Sequence, residues 1–209
     1  MSCRNLLTVV AAMGFMFGLV ACSPSDELSG TASPESTSSA VSQTSSGRPT
    51  LTESRLQPPP LENEYTTQGR PKVVFDPCTW ISDDAVREAG LDPVTRRRGQ
   101  DLVAEYTFLT CDFDGEFRDV QINSGNVTWE EDLQKNGAYS EPLTVNGREA
   151  IVVQDPQLVR VCSIHVRTKV GIVMFSSTRT FEGTQAGLQL CDGVLEIATA
   201  LEPEIGAEN

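Results

Sequence analysis

Short apolar-rich runs, separated by turn dipeptides, follow one another along most of the chain. Residues 103–113 and 117–123 read as two strands joined at Asp114-Gly115. Residues 141–145 and 148–154 form a second pair around Asn146-Gly147, and 158–168 and 171–178 a third that turns at Lys169-Val170-Gly171. Asn-Gly and Asp-Gly supply the positive φ angles that tight hairpins require. Helical signals interrupt this series. Asp76-Pro77 opens a turn; Ser82 then caps a short helix with Asp83 and Asp84 in its first turn and Gly90 as its stop. Thr128-Trp129-Glu130-Glu131 is a capping box for another short helix ending at Asn136-Gly137. Leu188, Cys191, Val194, Leu195 and Ala198 lie three or four apart, which predicts a last helix from about Thr184 to Leu201. The predicted fold class is α+β: an antiparallel sheet of hairpins with a short N-terminal helix and a longer C-terminal helix packed on one face.

The N-terminal pattern differs. Arg4 precedes an uncharged, mostly apolar run from Leu6 to Val20, short for a membrane span of about 20 residues but suited to the core of a signal peptide. It ends in Leu19-Val20-Ala21-Cys22, which resembles the lipobox of bacterial lipoproteins. That resemblance implies cleavage after Ala21 and a diacylglyceryl thioether on Cys22, whose two acyl chains give stable anchoring. Residues 23–60 hold 22 Ser, Thr or Pro among 38, too little apolar surface to offset the entropy of ordering. The expected organisation is a signal peptide at 1–21, a lipidated N-terminus and disordered tether at 22–72 with a span of about 40 Å, and one domain at 73–209. The expected location is the extracytoplasmic face of the cell membrane, held by the lipid on Cys22.

Six cysteines fit that location. Cys3 leaves with the signal peptide and Cys22 carries lipid. Cys78, Cys111, Cys162 and Cys191 remain, an even number in an exported domain, which implies two disulfides. No pair has CxxC spacing. Asp76-Pro77-Cys78 before a short helix ending at Gly90-Leu91, Cys111 in a strand, Val161-Cys162 in a strand-turn-strand ending near Phe175, and Cys191 in an amphipathic C-terminal helix follow in order. With the lipobox and tether, this order resembles a family of actinobacterial lipoproteins defined by a domain of unknown function. The resemblance implies location and architecture and brings no catalytic residues. Of the three possible connectivities, Cys78–Cys191 with Cys111–Cys162 would staple the two ends of the domain and cross between strands. Pairing sequence neighbours, Cys78–Cys111 and Cys162–Cys191, is the alternative.

Composition then removes whole classes of function. The chain of 209 residues has 16 Lys and Arg against 29 Asp and Glu, a net charge of -13. Residues 73–209 alone hold 11 basic and 23 acidic residues, so the acidity belongs to the domain. Nucleic acid and anionic lipid are poor partners for such a chain through a basic face. The single histidine, His165, leaves no multi-His metal site. Strand alternation sets it out of phase with Cys162 and Ile164, toward solvent or the other sheet face. Asp112, Asp114 and Asp119 surround a glycine, but Gly115 falls fourth from Asp112 rather than sixth, so a hairpin explains the segment better than a calcium loop. Arg96-Arg97-Arg98 reads as a solvated strand or loop that balances acidic neighbours or docks an anionic polymer. Trp80 and Trp129, each by a helix start, read as packing residues. No phosphate loop, GxGxxG or GxSxG occurs, so no catalytic residue, metal or cofactor is expected. The chain reads as a membrane-anchored interaction or scaffold module for an envelope protein partner. The alternative is a carrier for a small apolar ligand such as a lipid or glycolipid, held between sheet and helices. Ligand-binding residues are not identifiable from sequence.

Overall fold

The computed structural model describes residues 50–66 and 69–209. The signal segment, Cys22 and tether residues 23–49 lie outside the described residues. A 3-10 turn, Ser54–Leu56, comes first. Helix α1 is Pro77–Trp80, with Asp76 accepting from the Cys78 amide as its cap. Helix α2 is Asp83–Glu88, capped by Ser82. A second 3-10 turn, Pro93–Thr95, leads to β1 (Arg97–Arg98), β2 (Leu102–Val103), β3 (Thr107–Phe113) and β4 (Arg118–Gly125). Helix α3 (Trp129–Asn136) opens on the expected capping box between Thr128 and Glu131. Then follow β5 (Ser140–Val145), β6 (Arg148–Val153), β7 (Val161–Arg167), β8 (Ile172–Arg179), α4 (Phe181–Gln185) and α5 (Val194–Ile205).

The strands form one eight-stranded sheet in the order β1-β3-β4-β8-β7-β6-β5, with β2 also paired to β3. All pairings are antiparallel. The three expected hairpins are present; Asn146 takes φ 49° and Gly147 φ 88° at the turn between β5 and β6. The α+β class is therefore as read. One face carries α1, α2 and α5: Phe75, Cys78, Ile81, Val86, Ile122, Ile164, Phe175, Ala198 and Leu201 meet there in a single cluster. Those side chains are at most 1% exposed. These side chains fill the centre of the interlayer space. Pro142 and Glu141 stand exposed on edge strand β5, and both residue types disfavour addition of another strand.

Several expectations change. The C-terminal helix is not continuous from Thr184: Gly187 at φ 78° and Gly193 at φ 75° break it, and Cys191 lies in the irregular segment between α4 and α5. Helix α5 then runs past Leu201 to Ile205 despite Pro203. The proline lacks an amide for the Thr199 carbonyl, and Asn146 Nδ2 donates to that oxygen instead, at 2.8 Å. The disulfides join sequence neighbours, Cys78–Cys111 and Cys162–Cys191, with Cα separations of 5.0 and 5.2 Å. The expected Cys111–Cys162 bridge would cross from β3 to β7. Two strands intervene, so three spacings of ~4.8 Å separate them by roughly 14 Å, twice what a disulfide spans. Loops of 33 and 29 residues are each worth about 3.5 kcal/mol in the chain-entropy account.

The boundary at residue 73 also moves. Leu51 packs against the main core and Leu56 is within it, 1% exposed. The Leu51 amide donates to the Thr79 carbonyl at 2.8 Å. The described residues 50–66 and 69–72 are thus a strap on the fold. Polar composition concealed two leucines five positions apart.

Leu56→Ala should lower stability by about 2–4 kcal/mol, measured by urea unfolding of the oxidised protein. A strap resting loosely on the surface would give less than about 0.5 kcal/mol.

Candidate functional site

The second face of the sheet is only partly covered. Trp129 at the start of α3 packs with Ile151, Val153 and Ile172, and Val127, Tyr139 and Met174 border them. Beside this small cluster lies a half-open groove of about 640 Å³, within the size range of small-molecule sites. Its floor follows from strand alternation and register. Asp112, Gln121, Ser176 and Ser163 stand in one row across β3, β4, β8 and β7; Thr110, Asn123, Met174 and His165 form the next.

These polar side chains are held by one another. Gln121 Nε2 donates to Asp112 Oδ1 at 2.9 Å, Asn123 Nδ2 to Gln121 Oε1 at 3.2 Å, and Thr110 Oγ1 to Asn123 Oδ1 at 2.9 Å. The Ser163 and Ser176 hydroxyls are 2.9 Å apart. Val127, Ile172 and Met174 place apolar surface next to them. The result is an amphipathic groove with preset donors and acceptors.

His165 forms part of its wall. It is buried, 6% exposed, rather than on a solvent face, because α3 lies over it. Nδ1 is 2.9 Å from Asp132 Oδ2 and 3.1 Å from Oδ1. Asp132 Oδ1 also accepts from Asn136 Nδ2 at 2.7 Å. The carboxylate accepts only, which places the proton on Nδ1 and leaves Nε2 for a ligand. Sequence reading missed Asp132 and Asn136, although their i, i+4 spacing on a capped helix carried the signal.

A second polar group ties the strap to α3. Arg70 reaches Glu131 with both terminal nitrogens, at 2.9 and 2.6 Å, and its guanidinium lies 3.8 Å from the Tyr106 ring centroid. Arg70 Nη2 donates to the Tyr106 hydroxyl, which donates to Glu131 Oε1 at 3.1 Å. The Arg70 hydrogen bond, with the Thr128 amide, holds the Glu131 carboxyl well below the carboxylate range. Glu131 in turn raises Arg70, and its hydrogen bond raises the Tyr106 phenol.

The arginine run is not a solvated patch. Arg96 is 2% exposed beneath the strap; its Nη1 donates to the Cys78 carbonyl at 3.4 Å. Asp83 Oδ1 is 3.1 Å from Nη2 but off its hydrogen-bond direction, and Nε has no partner among the described residues. Burial lowers the Arg96 guanidinium, opposed by Asp83. Arg98 meets Asp76 at 2.6 Å and donates from Nε to the Leu56 carbonyl at 3.1 Å. Arg97 alone is outward, 2.5 Å from Asp114. The run balances acids inside the fold and leaves no basic patch for an anionic polymer. Trp129 is buried as expected, and Trp80 stands edge-on to Phe75 at 5.8 Å. Asp114 and Gly115 lie in the turn from β3 to β4, as the hairpin reading required. Among the described residues no group of acids, histidine and cysteine is arranged to hold a metal ion, and no helix is long and apolar enough to cross a membrane.

A comparison with protein families matches residues 17–204 to one described as a protein of unknown function (DUF3558). No curated protein and no solved structure matches the chain.

Two outcomes check this geometry. Asp132→Ala strips partners from His165 and Asn136 and should cost about 1–3 kcal/mol in urea unfolding; an unchanged midpoint would deny the network its role. Glu131 is ionised in the fold far below its ordinary 4.5, so its contribution is present above that pH and fades as acid reaches the folded value. Arg70→Ala should therefore destabilise at pH 7, with the gap to wild type closing below about pH 4. A gap constant with pH would assign the loss to packing on Tyr106 alone.

Proposed function

We propose, from the premise that the chain belongs to the DUF3558 family, that this protein is a lipobox lipoprotein of an actinobacterial envelope that holds a small amphipathic ligand in the open-face groove. The anchor reading is supported by the order of charge, apolar run and Cys22 in residues 1–22, and by two disulfides in the domain. The ligand reading is carried by one observation: a groove of about 640 Å³ with the Asp132-oriented His165 in its wall. A buried imidazole, two amides and two hydroxyls recognise a polar head; Val127, Ile172 and Met174 receive an apolar portion. A lipid or glycolipid has that division.

The scaffold reading uses the same face. Both edges of the sheet are poor templates for an added strand: β5 carries Pro142, and β1 and β2 have two residues each. An envelope protein would therefore have to lay a segment across the groove. The size of the groove favours the small ligand, because about 640 Å³ lies within the roughly 300–1,000 Å³ of small-molecule sites.

Native mass spectrometry of the chain extracted from its producing membrane tests both parts. The expected result is a non-covalent adduct that is lost on denaturation and absent from Ser176→Trp, in which an indole fills the groove floor. The denatured chain should retain a covalent diacylglyceryl mass on the peptide beginning at Cys22. A bare wild-type chain would overturn the ligand reading; a free Cys22 would overturn the anchor.

A further inference from the structure

The most exposed apolar side chains gather at one end of the sheet. Among the described large apolar residues, Val94 at 85%, Val159 at 73% and Phe181 at 66% are the three most exposed. They lie far apart in sequence, yet hydrogen bonds bring their segments together. The Asp114 amide at the end of β3 donates to Thr95 Oγ1 at 3.1 Å, beside Val94. The Thr180 amide donates to the Phe117 carbonyl at 3.2 Å, and Thr180 Oγ1 to Glu116 at 2.7 Å, which sets Phe181 beside the β3–β4 turn. The Arg179 amide donates to the Arg160 carbonyl at 2.9 Å, which adds Leu158 and Val159. Leu158 and Phe117 are themselves 53% and 43% exposed. Four separate loops thus raise apolar tips at one end, where a soluble domain has no packing use for them.

The chain arrives at the same end. Leu51, Glu53 and Arg55 border one pocket with Val94 and Arg96, so the strap starts beside Val94 before it runs to Asn63, which reaches the Val103 carbonyl near the far end of β3. We infer that this end of the domain docks on a lipid surface, with Val94, Val159 and Phe181 entering the interface. The inference rests on the anchor at Cys22 for its geometry and is independent of the groove ligand. Residues 23–49 reach at most about 95 Å at full extension, so the lipid-bound chain meets its own membrane as an intramolecular event, which adds effective concentration to a partition that the three apolar tips already have on their own. The groove reaches this end as well, since Asp155, Leu158 and Thr178 line it there.

Vesicle sedimentation of the chain from Ser23 onward tests this, because that chain lacks Cys22. With vesicles of zwitterionic phosphatidylcholine, wild type should co-sediment. The triple variant Val94→Ser, Val159→Ser, Phe181→Ser should lose partition by at least about tenfold with an unchanged circular dichroism spectrum. Binding should persist at about 1 M salt, where charges are screened beyond about 3 Å. In a second measurement, Val159→Trp should be quenched by brominated acyl chains, and Leu102→Trp on edge strand β2 should not. Wild type remaining in the supernatant, or equal quenching at both positions, would overturn the docking surface. It would leave the anchor standing, since that is read from the mass at Cys22.

Discussion

The sheet is wider than any one of its helices is long. Seven strands in sequence across the sheet span roughly 29 Å at ~4.8 Å each, while the 12 residues of α5 extend about 18 Å. Helix α5 therefore covers β5, β7 and β8 and stops. The remaining apolar face, over β3 and β4, must be sealed by something else. α1 and α2 supply part of the cover, and Leu51 and Leu56 of the strap supply the rest. The other face has only the eight residues of α3, about 12 Å, so a groove remains beside it.

Holding a strap without a long hydrophobic stretch requires charge. Asp76 both caps α1 and meets Arg98, and Arg98 holds the Leu56 carbonyl. Farther along, Arg70 joins Glu131, the residue that completes the capping box of α3. The strap is thus fastened to each sheet face by a side chain already committed to starting a helix. Such pairs are weak when solvated, but Arg98 and Asp76 are largely buried, where losing one partner strands the other. Arg96 and Arg98 belong to this sealing, while Arg97 between them faces out to Asp114.

Hairpins and caps were legible in the sequence because they depend on neighbouring residues. Asn146-Gly147, Ser82 and Thr128 act within four positions of themselves, and each is found where the pattern put it. Long-range features were not. Disulfide pairing depends on strand order, and the order β3-β4-β8-β7 separates Cys111 from Cys162 in a way no spacing reveals. Alternation allowed His165 the second sheet face, but its burial depends on α3 crossing that face. The groove floor itself comes from residues of four strands brought into register, so only its members, and not their assembly, could be read.

The order of the disulfides has a consequence for how the molecule is made. The four cysteines of the domain pair off in sequence order, the first with the second and the third with the fourth. On the export route proposed above, a polypeptide threaded N-terminus first through a translocation pore would deliver Cys78 and Cys111 before Cys162 and Cys191. Oxidation in order of arrival then produces the native connectivity directly. On that route, a neighbour-to-neighbour connectivity would leave fewer mispaired bonds to reshuffle.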